Sequence, residues 1–209
     1  MAVYKRKYKS YQEYLDHQSL KLKIGQRKNI DKFMPRHFDK NVKSFTNRIN
    51  KFKKYVREGK VLCLGARIGE EVVAFRNLGF DTIGIDINPG KNNPYVIKGD
   101  FHNTKFEDGS FDNIYCNCID HAWNIPELSK EMDRLLKPKG RLILEVDHIL
   151  NKSKDRRKEW INKVSKYEVI LCDSLKDISK CLKHFKLKTN FVSAYKKVIV
   201  VIFDKKGQE

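Results

Sequence analysis

Two glycines and two aspartates give this sequence its first chemical suggestion. Gly65-Ala66-Arg67-Ile68-Gly69-Glu70 follows the apolar run Val61–Leu64 and opens a helical pattern. Gly65 permits a tight turn there. Gly69 lets the backbone approach a ligand where a helix N-terminus offers free N–H groups. Asp86, followed by Ile87, ends the next apolar run, Thr82–Ile85. A carboxylate at that place can accept hydrogen bonds from both ribose hydroxyls of an adenosine. It could equally cap the turn before Asn88-Pro89. A third apolar run, Tyr95–Ile97, leads to Gly99-Asp100-Phe101. The loop departs from the usual G-x-G-x-G at its middle position, which is Arg67. That guanidinium could pair with a ligand carboxylate or point to solvent.

Histidines supply the second suggestion. His102, His121 and His148 lie at strand ends or just beyond, and Asp120 and Asp147 directly precede two of them. Imidazole can take a proton from a hydroxyl near neutral pH. His121 is the first candidate for such a base and His148, with Asp147 beside it, the second; the alternative is that they cap helices or fill the loop layer. No clear metal-ligand set is present, although Asp147 could take part in one. Near the start, Tyr14, Gln18 and Lys21 fall along one side of a helix beginning after Ser10. They form either a lid over a site or the solvated face of a docking helix.

These residues need elements to position them. The apolar runs 61–64, 82–85, 95–97, 111–118 and 141–146 read as strands, and 70–78 and 126–136 as helices, the latter stopped by Pro138 and Gly140. Strands alternating with helices imply β-α-β units and a parallel sheet, with the ligand beyond the carboxyl ends of the strands. Val42, Phe45, Ile49, Phe52 and Val56 make an apolar stripe across a helix at 39–56. Beyond Asn151, helices are expected at 155–164 and 174–184 and a short strand at 167–171. Strands at 191–192 and 198–203 would close the sheet as an antiparallel hairpin.

The segments VLCLGARIGEEVVAF, GIDINP, GDFHNTKFEDGSFDNIYCN and LLKPKGRLIL stand in this order between about residues 60 and 148. Together they resemble the successive motifs of class I S-adenosylmethionine-dependent methyltransferases. Within that superfamily they are similar to the small-molecule branch, whose fourth motif runs into a short helix. The resemblance implies an α/β, Rossmann-like fold: a mostly parallel seven-stranded sheet with helices on both faces and a C-terminal antiparallel hairpin. It implies S-adenosyl-L-methionine as cofactor. Gly65 and Gly69 would face its amino-acid part, with Ala66 and Arg67 between them. Asp86 and Ile87 would meet the ribose, Asp100 the adenine amino group, Phe101 the ring, and Asn117 the methionine moiety. Nicotinamide dinucleotide binding fits less well, because Asp100 and the K-P-K-G-R-L turn follow the methyltransferase pattern.

Charge divides the chain unevenly. Of the formal +18, residues 1–60 hold +13, residues 61–150 hold −4 and residues 151–209 hold +9. Basic flanks favour an anionic partner, although lysines spread this widely also suit a plain solvated surface. Five cysteines without a C-x-x-C pair read as buried thiols in a reducing compartment. No apolar run is long enough to span a membrane, and the first residues lack a signal-type apolar region. A cytoplasmic protein is therefore expected, with residues 1–57 as a basic helical extension or lid and 58–209 as the cofactor-binding domain. The expected activity is O-methylation of a hydroxylated small molecule or sugar unit. The alternatives are an RNA methyltransferase using the basic flanks, and a non-catalytic nucleotide-binding module, against which the intact Asp86 and Asp100 speak.

Overall fold

Successive side chains of a strand point to opposite faces, and the run Val61-Leu62-Cys63-Leu64 is buried on both. Val61 and Cys63 join one apolar cluster, Leu62 and Leu64 another. Such a strand must lie inside a sheet covered on both sides. The computed structural model shows that sheet. It describes residues 2–20, 30–147, 169–172, 174–192 and 198–207.

Strand β1 (Ala2–Lys5) and helix α1 (Tyr11–Ser19) come first, then helix α2 (Ile30–Phe52) and one 3-10 turn (Lys53–Tyr55). The β-α-β portion follows: β2 (Lys60–Leu64), α3 (Glu70–Asn77), β3 (Asp81–Asp86), β4 (Val96–Lys98) and β5 (Phe111–Cys116). A 3-10 turn (Ile119–His121), helix α4 (Ile125–Leu135) and the long strand β6 (Leu136–Asp147) complete it. Last come β7 (Ile170–Cys172), α5 (Leu175–Cys181), β8 (Phe185–Val192) and β9 (Val198–Lys205).

Seven strands form one sheet in the order β4-β3-β2-β5-β6-β9-β8. The first four contacts are parallel; β6 with β9 and β9 with β8 are antiparallel. The expected architecture and closing hairpin are therefore present. Helices α4 and α5 cover the Leu62/Leu64 face, whereas α2 and α3 cover the Val61/Cys63 face. The stripe Val42, Ile49, Phe52 and Val56 is buried there as its spacing requires, but the helix starts at Ile30 and ends at Phe52.

Strand β1 pairs antiparallel with β7 in a separate two-stranded sheet. The run read as a short strand at 167–171 therefore exists at Ile170–Cys172 and lies outside the main sheet. The expected helix at 155–164 and the turn at 194–197 lie outside the described residues. So do Lys21 and His148, together with the side chain of Asp147.

Candidate active site

The loops after β2, β3 and β5 meet around a cavity of about 170 Å³. Gly65, Arg67, Asp86, Ile87, Phe101 and Asn117, all selected from the motifs, line it. His121 lines it too. Three further residues of the motif set stand behind the wall. Ala66 is fully buried with its N–H on the Ile85 carbonyl. Gly69 is the N-cap of α3, and a Cβ there would come within 2.8 Å of Tyr95 Cβ, so glycine makes room for β4. Asp100 is held by other partners, described below.

The loop's path follows from its backbone. Gly65 adopts φ +63°, Arg67 φ +50° and Gly69 φ +94°. Arg67 thus takes the left-handed conformation at the position where glycine is usual, at a cost of about 1–2 kcal/mol. That turn aims the Arg67 N–H at Asp86, donating to Oδ2 at 3.0 Å; the Asn88 N–H donates to Oδ1 at 2.8 Å. Each oxygen of Asp86 keeps a lone pair for a further donor, and that is what a ribose diol requires. Gly65 has a second constraint. The Cys118 thiol donates to the Leu64 carbonyl at 3.4 Å and sits 2.3 Å from where a Gly65 Cβ would be. Cys118 also lines the cavity. Only the spacing of Cys118 from the end of β5 could have pointed to it, and that signal is weak.

Asp100 accepts from the Tyr11 hydroxyl at Oδ2 (2.5 Å) and, at Oδ1, from the His102 N–H (2.9 Å) and His102 Nδ1 (3.0 Å). Burial alone would raise this carboxyl, but the hydrogen bonds from His102 and Tyr11 hold it below the usual carboxylate range. One of its four acceptor positions is left for a further donor. His102 Nε2 accepts from the Trp123 N–H at 3.1 Å. With Nδ1 donating and Nε2 accepting, His102 bridges two loops and has no nitrogen left for an acceptor's proton.

His121 differs. Its Nε2 lies 3.8 Å from Asp120 Oδ2, and its carbonyl accepts from the Tyr14 hydroxyl at 3.0 Å. Burial pushes the hydroxyls of Tyr14 and Tyr11 well above the ordinary tyrosine range, so both remain donors at neutral pH. The described residues contain no cluster of three potential metal ligands.

Tyr14 and Gln18 of α1 also line the cavity, although neither belongs to the motif set. Their helical spacing was visible; what they would face was not. Ser10 caps α1 as its type suggests, accepting the Glu13 N–H at 3.1 Å.

Comparison with known proteins agrees with this geometry. Residues 62–144 match the family model described as a methyltransferase domain. No curated protein matches the chain. Among solved structures, a protein from Pyrococcus horikoshii is 19% identical over 78% of this chain and 91% of its own, with a TM-score of 0.61. A Thermotoga maritima S-adenosylmethionine-dependent methyltransferase, described as a possible histamine N-methyltransferase, is 19% identical over 78% and 89%, TM-score 0.60. The geranyl diphosphate C-methyltransferase of Streptomyces coelicolor, solved with S-adenosylhomocysteine, is 12% identical over 77% and 76%, TM-score 0.60. At these identities the structures show a shared fold, and their differing acceptors show that the fold does not select one.

A methyltransferase domain is matched over residues 62–144, and the sheet has the fold shared by solved S-adenosylmethionine-dependent methyltransferases. The chain's cofactor is S-adenosylmethionine, and the lined cavity with the prepared Asp86 carboxylate has the donors and acceptors to hold it.

Proposed function

We propose that the chain methylates an oxygen of a hydroxylated small molecule or sugar unit, with His121 taking the hydroxyl proton. The carrying observation is that His121 lines the same cavity as Gly65, Asp86 and Asn117. S-adenosylmethionine supplies an electrophilic methyl group on a sulfonium, which leaves as the thioether when the acceptor oxygen attacks in line. This chain's residues then have two tasks, alignment and proton removal. Asp120 lies beside His121, and the Tyr14 hydroxyl holds the turn in place. His148 with Asp147 is the second candidate: β6 lies next to β5, so the two loops leave neighbouring strands. Asp100 and Phe101 would serve the adenine, and Asn117 the methionine moiety.

In this reading, residues 58–209 are the catalytic domain and 1–57 its basic extension. Among the described residues no two cysteines are joined in a disulfide, which suits a reducing compartment. No helix among the described residues is long and apolar enough to cross a membrane.

A second reading has its own observation. Lys40, Lys43, Lys51 and Lys54 are exposed along α2 and the turn after it, at spacings that keep them on one side of the helix. Such a ridge suits a phosphodiester backbone, as in an RNA acceptor.

One experiment separates the readings. A panel of hydroxylated small molecules and sugars is incubated with S-adenosylmethionine, and S-adenosylhomocysteine formation is followed. RNA binding is titrated in parallel across salt concentrations. Turnover on a hydroxyl acceptor with weak, salt-labile RNA binding supports the first reading. Sub-micromolar, structure-selective RNA binding at physiological salt overturns it.

A further inference from the structure

Helix α1 lies outside the residues matched by the methyltransferase-domain model, yet two of its side chains form part of the cavity wall. Tyr14 and Gln18 are one turn apart on the same face and are 2% and 8% exposed. The Gln18 carboxamide is thus a polar group placed in a nearly closed part of the cavity wall. The helix is fixed at three points, each on a different loop. The Tyr11 hydroxyl donates to Asp100 after β4, and the Tyr14 hydroxyl to the His121 carbonyl after β5. Asn88 Nδ2, in the loop after β3, donates to the Ser19 carbonyl at 3.0 Å. Gln18 therefore adjoins the residue tied to Asn88, and Asn88 is itself tied by its N–H to Asp86.

We propose that Gln18 is a cofactor-binding residue, hydrogen-bonding the ribose hydroxyls together with Asp86, with Tyr14 closing the cavity beside it. The chemistry is complementary. An ionised carboxylate can only accept, whereas each ribose hydroxyl both donates and accepts. A carboxamide brings two N–H donors and a carbonyl acceptor. The diol is then held by an acceptor on β3 and a donor–acceptor on α1. The N-terminal helix becomes part of the binding site, and the domain without it has an incomplete one. This inference rests on the reading of Asp86 as the ribose ligand.

The test is calorimetric titration of the full chain with S-adenosylhomocysteine and with its 2′-deoxyribose analogue. Wild type, Asp86→Ala, Gln18→Ala and Gln18→Leu are compared, and thermal melts confirm that each is folded. Loss of one neutral hydrogen bond predicts about three- to tenfold weaker binding of S-adenosylhomocysteine by both Gln18 variants. The deoxy analogue should bind wild type more weakly, and that penalty should shrink in Gln18→Ala. Hydrogen exchange of residues 11–19 should slow when wild type is saturated. Gln18 variants that bind like wild type, or an undiminished deoxy penalty, overturn the proposal. If Asp86→Ala binds like wild type, the ribose reading fails and this inference fails with it. If only the Gln18 arms fail, the ribose reading stands.

Discussion

Arg48 and Glu145 face each other inside the protein, the guanidinium Nε at 3.2 Å from each carboxylate oxygen and Nη2 at 3.1 Å from Oε2. Their side chains are 7% and 4% exposed. Burial works against the charge on Arg48, but Glu145 outweighs it and raises the group further. The Phe45 ring lies 4.1 Å from the guanidinium carbon on α2 itself. One charge from the basic helix α2 is thus held by the interior strand β6, and it fixes the helix to the sheet.

Removing either partner leaves the other buried and uncompensated. Arg48→Ala or Glu145→Ala should cost about 3–5 kcal/mol in urea unfolding. The paired replacement Arg48→Met with Glu145→Leu should recover most of that loss. A double variant as unstable as the singles would show that the pair does more than neutralise itself.

Asp86 has both oxygens prepared by backbone donors, so its loss should act on binding with little effect on the loop's neighbours. Asp86→Ala should weaken S-adenosylhomocysteine binding by about 1.5–3 kcal/mol, the range for hydrogen bonds to a charged group. Calorimetry checks this, with NAD as the control ligand that should bind to neither protein.

His121→Ala should lower turnover on a hydroxyl acceptor by about 10²–10⁴ while leaving S-adenosylhomocysteine affinity nearly intact. The wild-type rate should rise with pH as the base loses its proton, and that rise should be absent in His121→Ala. If His121→Ala and His148→Ala both keep full turnover, the acceptor is an amine or an already ionised group that needs only alignment.

Glu71 offers a test on stability. It lies in the first turn of α3, 4% exposed, and burial pushes its carboxyl from 4.5 up to about 8. The folded protein then keeps a proton that the unfolded chain releases. The stabilisation is complete below about 4.5 and is lost as pH rises through about 8. Urea melts at pH 5, 7 and 9 should show stability falling across this window. In Glu71→Gln the fall should be much shallower, leaving the variant more stable than wild type at pH 9 by at least about 1 kcal/mol. Parallel curves for the two proteins would remove Glu71 from the account.

What the sequence revealed depended on how local the signal was. Strands β2 to β4 were legible because each is a short apolar run ending at or next to glycine or aspartate; β5, without such a stop, ends at Cys116 and not at 118 as its run suggests. The stripe on α2 and the Ser10 cap were local too, and they appear as read. Strand β6 is longer than expected because Pro138-Lys139-Gly140 reads as a turn. In the structure Lys139 takes φ +64°, and the pairing shifts from Phe111↔Leu136 to Asn113↔Arg141, so the strand continues through an irregularity. Strand β1 could not be read at all. Ala2–Lys5 is too polar to stand out, and its partner lies at the other end of the sequence. For the same reason Tyr11 and Tyr14 were visible as a helical pair, but their bonds to Asp100 and His121 were not.

The pairing of Ala2–Lys5 with Ile170–Cys172 also sets an order of assembly. On the ribosome the glycine loop and its sheet neighbours emerge well before Ile170 does. At about 5–20 residues per second, the strand at Ala2–Lys5 waits roughly 10–30 s for its partner. Until then α1 has no anchor on that side. A nascent chain can therefore hold α1 through its ties to residues 88, 100 and 121 while the strand before it is still unpaired, and that end is closed only once the second half of the polypeptide has been made.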